Sequence, residues 1–286
     1  MIKNAGFIGA GKVGTSLGRY IKESAQDSFK VCGYYSLSRE SADAAALLTD
    51  SHAFDSPGEL AAVCDLLFLT LPDGRIARVW REVSDCLPKG RAAPLYVAHC
   101  SGSLDAAVFD PRPDGFFFGS IHPFLAVYDK VTSYERFPGA YFTIEGDEAF
   151  TAMAETLLTA LGNPYSAIDA VHKTLYHAAS VTVSNLVCAL AYTGMETLKA
   201  CGLSDDFADN AWRALFLENA ENIAGLGPVR ALTGPVERAD TATVARHLEA
   251  LSGDTREVYR LLSLALTEIA RQKNPERDYT ELLKIL

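Results

Sequence analysis

The first half of the chain alternates short, nearly unbroken apolar runs with longer stretches in which apolar residues recur every three or four positions. That alternation predicts strands interleaved with amphipathic helices, the pattern of a parallel sheet. Strands are expected at 5–8, 30–36, 66–71, 95–98, 116–120 and 141–145, with a brief extended segment at Ala53. Helices are expected at 11–24, 42–48, 57–63 and 76–86. The 66–71 run is apolar at almost every position, as a strand covered on both faces should be. After Ile168 the strand signals vanish. One long helix is predicted over 169–201, interrupted only by Gly194, then helices at 205–224, 239–251 and 255–272 and a short one near 279–283. The fold class is α/β: a Rossmann-type, mostly parallel sheet over 1–167, followed by an all-α domain over 168–286.

The turn between the first strand and helix reads Gly9, Ala10, Gly11, Lys12, Val13, Gly14, the GxGxxG spacing in the strand-to-helix context that gives it meaning. The first glycine permits a tight turn, the second lets the backbone approach a pyrophosphate, and the third lets helix and strand pack closely. The helix N-terminus behind them offers unpaired N–H groups to an anion. The end of the second strand selects the dinucleotide, because an acid there holds a ribose 2′-hydroxyl and a phosphate binder holds a 2′-phosphate. Here Ser36, Leu37, Ser38 and Arg39 follow Tyr34 and Tyr35, with Glu40 the only nearby acid. Hydroxyls and a guanidinium fork suit a phosphate monoester, which predicts NADP(H) as cofactor. The other reading of Arg39 is the start of a solvated helix. Thr70, Leu71 and Pro72 fall at the carboxyl edge of the fourth strand and are assigned to the cofactor through their backbone. Asp73 reads as the N-cap of the next helix or as a site residue.

The long helix carries the second constellation. At about 100° per residue, Lys173, His177, Ser180 and Ser184 share one narrow stripe, with Asp169 beside them. The rest of its surface is largely apolar, through Val171, Leu175, Val181, Val183, Leu186 and Val187. A helix apolar almost all round is normally buried, so the polar stripe is expected to line a cavity. Hydride transfer to a carbonyl or imine builds negative charge on the acceptor heteroatom, which an ammonium or imidazolium neutralises or protonates. Lys173 and His177 are therefore the candidate proton donors; the competing reading makes the stripe the helix's wet face. Two further loops lie at the carboxyl edge. Ser101 and Gly102 offer a hydroxyl and an amide to a substrate carboxylate, and His122 either donates to it or holds its loop. Cys100 is read as packing.

Composition narrows the functional class. The chain has 286 residues, 49% hydrophobic and 22% charged, with a formal charge of −10. That charge argues against general affinity for nucleic acid or an anionic membrane. No uninterrupted apolar run approaches the roughly 20 residues of a membrane span. The first residues run into a strand rather than a signal peptide. Six scattered cysteines form no CxxC pair, so no metal site is expected and a cytoplasmic location fits.

Several stretches together resemble a known family. They are residues 9–14; His99, Cys100, Ser101, Gly102; Ile121, His122, Pro123; Tyr176, His177, Ala178, Ala179 with Ser184 and Asn185; and the segment 232–240, from Leu232 through Thr233, Gly234, Pro235 and Glu237 to Arg238 and Asp240. The family joins a Rossmann-like NADP-binding domain to a helical domain catalogued as domain of unknown function 2520. It is similar to the 6-phosphogluconate dehydrogenase-like superfamily, with hydroxyisobutyrate dehydrogenase, ketopantoate reductase and pyrroline-5-carboxylate reductase. The resemblance implies a C-terminal domain of the 6-phosphogluconate dehydrogenase C-terminal-like type. In hydroxyisobutyrate-type enzymes a catalytic Lys is followed four residues later by Asn. Lys173 matches the Lys, and His177 stands at the Asn position. It further implies a substrate loop at Ser101 and Gly102, and a homodimer through the helical domain. Arg238 and Asp240 bind substrate across that dimer, or Asp240 only caps the next helix.

The expected function is an NADP(H)-dependent oxidoreductase acting on a small, anionic 2-oxo acid or a related imine, with Ser180 and Ser184 also facing substrate. Two alternatives are a noncatalytic NADP-binding sensor or scaffold, and a deazaflavin-linked NADP oxidoreductase. A buried proton donor favours an enzyme, because a sensor needs none.

Overall fold

The computed structural model describes residues 2–87, 91 and 93–286. It divides into two compact units, residues 1–184 and 185–286. The first runs β1 (Lys3–Ile8), α1 (Lys12–Ser24), β2 (Phe29–Tyr35), α2 (Arg39–Thr49), β3 (His52–Ala53), α3 (Pro57–Val63), β4 (Leu66–Leu69), α4 (Asp73–Asp85), β5 (Leu95–His99), β6 (Phe116–Pro123), β7 (Phe142–Gly146), α5 (Glu148–Leu161), β8 (Tyr165–Ala167) and α6 (Lys173–Val183). The strands form one sheet in the order β3-β2-β1-β4-β5-β6-β7-β8. Strands β1 to β6 are parallel, and β7 turns antiparallel to β6 with β8 parallel to β7. The order 3-2-1-4-5-6 reverses direction between β1 and β4, which opens a crevice at the carboxyl ends of those strands.

Alternating residues feed cores on the two faces of the sheet. Phe7, Phe68, Leu17, Tyr20 and Phe150 pack on one side, and Ile8, Leu67, Leu69, Trp80 and Phe118 on the other. Burial of both faces is why β4 is apolar at every position, and it stabilises the unit at about 25 cal/mol per Å² of apolar surface removed from water.

Sequence reading passed over α5 and β8. α5 buries Phe150, Met153, Ala154, Leu157, Leu158 and Leu161 and closes on Gly162 in the left-handed region. The predicted continuous helix over 169–201 is also corrected. A 3₁₀ turn at Ala170–His172 precedes α6, and the backbone leaves the helix at Ser184, with φ −126° and ψ −80°. Ser184 Oγ donates to the Ser180 carbonyl at 2.7 Å, a local bond that competes with the helix ladder. Gly194, by contrast, lies inside α7 (Asn185–Ala200) without interrupting it.

The burial pattern of α6 is the reverse of the expected one. Lys173 is its one fully buried residue, while Leu175 and Val183, and Val171 in the turn before it, are exposed. The stretch Ala170–Ala200 has no unbroken apolar run of about 20 residues, yet it is long and apolar enough to cross a membrane by length and composition. The interrupting Lys173, His177 and serines hid this from a search for unbroken runs.

The second unit continues with α8 (Asp205–Leu226), α9 (Pro228–Ala231), α10 (Thr241–Ala250), α11 (Gly253–Lys273) and α12 (Thr280–Ile285). Its core is Val236, Val244, Leu248, Ala270, Tyr279 and Leu282. The 232–240 segment is clamped onto the end of α11. Lys273 Nζ donates to the Leu232 carbonyl at 2.6 Å, Asn274 Nδ2 to Glu237 Oε1 at 2.7 Å, and Tyr279 Oη to the Glu237 carbonyl at 2.8 Å.

Candidate active site

The glycine turn connects β1 to α1 at the crevice. Gly9 has φ +107°, and a Cβ on it would meet the Thr70 carbonyl oxygen at 2.5 Å. A Cβ on Gly14 would lie 2.3 Å from both the Gly9 carbonyl oxygen and Thr70 Oγ1. Gly11 differs: nothing described lies within 4 Å of a Cβ there. Two glycines therefore serve close packing and the third leaves open space at the start of α1, where no side chain caps the helix among the described residues. This is the geometry a pyrophosphate requires, so the residues present fit a dinucleotide. Thr70 braces the turn from β4 by donating to the Gly9 carbonyl at 2.7 Å. Ala10 is buried, Lys12 exposed, and Val13 half-buried.

At the end of β2, Ser36 and Arg39 line a cavity of about 290 Å³ with Tyr35, Leu37, Phe54 and Asp55. The Arg39 guanidinium is paired with Asp43 at 2.9 Å and with Asp55. Those carboxylates raise its pKa, chiefly through the Asp43 hydrogen bond. Ser38 Oγ caps α2 by accepting from the Ser41 N–H at 3.2 Å. An adjoining cavity of about 170 Å³ is walled by Gly9, Ser36, Leu71, Arg75 and Arg78. The two arginines of α4 were missed in sequence reading; only the strand order brings α4 beside the β2 end. Pro72 is the N-cap of α4, leaving Asp73 as its first helical residue rather than the cap.

That displacement gives Asp73 a different task. Its Oδ2 accepts from Ser101 Oγ at 2.8 Å and from Ser103 Oγ at 2.9 Å. Ser101 Oγ in turn accepts the N–H groups of Ser103 and Leu104, at 3.2 and 3.1 Å. The Ser101 hydroxyl is thus spent on the loop after β5. Because β4 and β5 are neighbours, with Leu69 opposite His99, residues separated by 28 positions meet at their carboxyl ends. His99 supports the same loop from below. The Ser101 N–H donates to Nδ1 at 3.2 Å, which leaves the imidazole hydrogen on Nε2 to donate to the Asp105 carbonyl at 3.2 Å. Burial, reinforced by the Lys173 charge, lowers its pKa to about 4. Cys100 is packing, its thiol pushed up to about 12 by burial.

Lys173 enters from α6. Its Nζ donates to the Ser101 carbonyl at 3.2 Å and to Ser120 Oγ, and pairs with Glu145 Oε2 at 3.7 Å. Glu145 lies opposite Ser120 across the β6–β7 ladder; its Oε2 accepts from Ser120 Oγ at 3.1 Å and its Oε1 from the Ala106 N–H at 3.1 Å. The Lys173 side chain is only 1% exposed and that of Glu145 8%, so this is a buried ion pair with its remaining valences largely satisfied. Burial lowers the Lys173 pKa, opposed by the Glu145 charge.

Above that pair, His122, Tyr176 and His177 gather around Gly102. His122 Nδ1 lies 2.8 Å from Tyr176 Oη, and the His122 and His177 rings are edge to face, 6.1 Å apart. A Cβ on Gly102 would meet His177 Cδ2 at 2.7 Å and His122 Nε2 at 2.8 Å. Only glycine lets the loop pass between the two histidines. Burial first, then Lys173 and His177, lowers the His122 pKa to about 4. Burial raises that of Tyr176.

The structure therefore brings Ser101, Gly102, His122, Lys173 and His177 together. Ser180 and Ser184 lie on the last turns of α6, half-buried and joined to each other. Asp169 is exposed, at the start of the 3₁₀ turn that precedes α6. Arg238 and Asp240 belong to the second unit, where Arg238 is exposed and Asp240 caps α10 through the Thr243 N–H at 3.0 Å. Glu145 and Tyr176 were missed as site residues, and of the two readings of Asp73 the structure supports the one within the site. An acid inside the apolar strand 142–146 was the one legible signal for Glu145.

Strand order, glycine turn and carboxyl-edge cluster define a Rossmann-type dinucleotide-binding fold. Comparison with known proteins is consistent with it. Residues 2–123 match a Rossmann-like domain and residues 140–266 match a domain of unknown function, DUF2520. The chain thus joins a Rossmann-like domain to a DUF2520 domain. It is similar to a solved protein of Thermotoga maritima, with 25% identity, a TM-score of 0.73, and coverage of 94% of this chain and 99% of that one. It is also similar to a candidate NADP oxidoreductase of Bacteroides fragilis, at 23% identity and TM-score 0.71, covering 93% of this chain and 98% of the other. A pyrroline-5-carboxylate reductase of Coxiella burnetii shares the fold at 15% identity and TM-score 0.61, over 96% of this chain and 99% of its own. No curated protein matches the sequence.

Proposed function

We propose that this chain is an NADP(H)-dependent oxidoreductase whose substrate is a small anionic 2-oxo acid or a related imine. One observation carries the reading: His122, His177 and the Gly102 backbone converge on one point of the carboxyl edge that also holds the glycine turn. Bound NADPH supplies a hydride. Everything else falls to the protein.

His122 is neutral at pH 7, with its pKa lowered to about 4. If Tyr176 Oη donates to Nδ1, the hydrogen is left on Nε2, beside Gly102, from which it can form a hydrogen bond to the acceptor heteroatom. His177 approaches the same point through its Cδ2 edge and is the second candidate donor. Lys173, its ammonium enclosed by Ser101, Ser120 and Glu145, acts from behind: it positions the loop and places positive charge beneath the developing anion. The Gly102 and Ser103 stretch is the substrate-carboxylate subsite. Ser36, Arg39, Arg75 and Arg78 supply the polar and basic groups for the 2′-phosphate end.

Exposed apolar residues support a homodimer through the helical region. The second unit exposes Leu190, Tyr192, Phe207, Leu215 and Leu217, and holds a groove of about 680 Å³ lined by Leu198, Val236, Val258 and Leu262. We assign this surface to a second copy rather than to lipid. Drawing α6 into a bilayer would strip the Glu145 carboxylate of its buried partner. Six free thiols suit a cytoplasmic location.

The test is NADPH oxidation across a panel of 2-oxo acids and cyclic imines. One substrate class is expected to turn over, and His122→Asn to lower kcat by about 100-fold while NADPH affinity holds. Wild-type kcat in that variant would remove His122 from the mechanism.

A further inference from the structure

Cys32 and Cys64 lie on the sheet unit at a point the proposed reaction does not use. Their sulfurs are 3.3 Å apart. Two features of the chain create that approach. The β1–β2 register shifts between Ala5 and Gly6, pairing Ala5 with Val31 and Gly6 with Gly33, so Cys32 is the bulged residue of β2. A bulge re-aims a side chain; here Cys32 packs against the core on the α3 side, which includes Cys64. The second feature is Gly6 itself. A Cβ there would lie 2.3 Å from Cys64 Sγ, so the absence of a side chain on β1 makes the room in which the Cys64 sulfur sits.

The environment is polar on one side. Arg91 caps the end of α3, donating to the Ala61 carbonyl at 2.6 Å and also to that of Cys64, with Asp65 next along the chain. Cys32 is half-buried and Cys64 fully buried. The thiol–thiol hydrogen bond holds the Cys32 pKa below the ordinary thiol value, and burial pushes that of Cys64 well above it. Cys32 is thus both the more accessible sulfur and the more readily ionised one.

We propose that Cys32 and Cys64 form a two-thiol oxidation site that a hydroperoxide converts to a reversible disulfide between β2 and the turn into β4. The Cys32 thiolate attacks a peroxide oxygen; the O–O bond breaks, a sulfenic acid forms, and the leaving oxygen takes up a proton as water or an alcohol. The Cys64 sulfur then attacks the sulfenic sulfur; the S–O bond breaks, the S–S bond forms, and the departing hydroxyl leaves as water with the Cys64 proton. Two thiols lose two electrons and two protons in all, and the peroxide is reduced. A small thiol reductant reverses the change.

The experiment uses the full chain and hydrogen peroxide. After graded oxidation, free thiols are alkylated under denaturing conditions and the non-reduced digest is read by mass spectrometry. The expected result is a Cys32–Cys64 linked peptide, lost on reduction with dithiothreitol. It should form about tenfold faster than the exposed Cys86, Cys188 and Cys201 are consumed. Cys64→Ser should leave a sulfenic acid at Cys32 that dimedone traps. Absence of the linked peptide in the unaltered chain, or its formation no faster than oxidation of those three cysteines, overturns the proposal whatever the variant does.

Discussion

Lys173 and Glu145 form a pair whose members are costly to keep singly. Lys173→Met removes the ammonium and leaves a buried carboxylate without its counter-charge, which should destabilise the chain by about 3–5 kcal/mol. Adding Glu145→Gln should recover part of that loss, and paired urea titrations of the single and double variants would show it. Equal stabilities for the two would mean that an unpaired Glu145 carboxylate is not what makes Lys173→Met costly. His99 and His122 make a second residue-scale prediction. Both are held near a pKa of about 4 in the folded chain, against an ordinary value of 6.5. Below pH 6.5 the unfolded imidazoles take up protons that the folded ones refuse until about pH 4, so the unfolded state gains and stability falls with pH across that window. The urea midpoint should drop between pH 7 and pH 5, by less in His99→Gln. A pH-independent midpoint would contradict neutral, buried imidazoles. The pairing itself was not legible beforehand. The sequence marks Lys173 as one of a polar stripe, but its partner Glu145 lies on another strand, and only the antiparallel return of β7 puts the two together.

At the scale of elements, the β1–turn–α1 unit was the most readable part of the chain, because a glycine spacing and a strand-to-helix change occur in one local window. Its glycines separate into two kinds, and that separation is testable. Gly14→Ala should lower thermal stability, since its methyl would press on the Gly9 carbonyl and Thr70. Gly11→Ala should leave stability nearly unchanged, because nothing crowds its Cβ, yet weaken NADPH by about tenfold or more by occupying the space a pyrophosphate needs. Thermal melts paired with NADPH titrations decide it; a Gly11→Ala protein that binds as the unaltered chain does would place the phosphates elsewhere. Other elements were harder to read. The break at Ser184 has no signal in the residue pattern: its hydroxyl bonds four residues back, and Thr193, Thr197 and Thr267 make the same bond inside helices that continue. α5 carries ordinary helical periodicity and closes on Gly162; it was overlooked because the alternation of strands seemed to end at β7. The 232–240 segment was conspicuous in sequence for a reason that was not apparent: Glu237 and Leu232 are the points at which Asn274, Tyr279 and Lys273 fasten it.

For the whole molecule, the fold class follows from the order of strand and helix signals, while the distribution of apolar surface does not. Val171, Leu175 and Val183 read as core by hydropathy and are exposed on the single chain. If a second copy covers such surface, light scattering on the eluting protein should give twice the chain mass of 30.9 kDa, and Leu215→Glu should shift it toward that of one chain. A monomer at micromolar concentration would require another explanation for the exposed helices. The central claim concerns the cofactor, and one measurement addresses it directly. Purified protein is titrated with NADPH and with NADH while nicotinamide fluorescence is followed. The account predicts saturable enhancement by NADPH, with NADH bound at least about tenfold more weakly for want of a 2′-phosphate to meet the basic groups at the β2 end. Equal affinities would contradict the 2′-phosphate assignment, and no enhancement with either nucleotide would contradict the dinucleotide site itself.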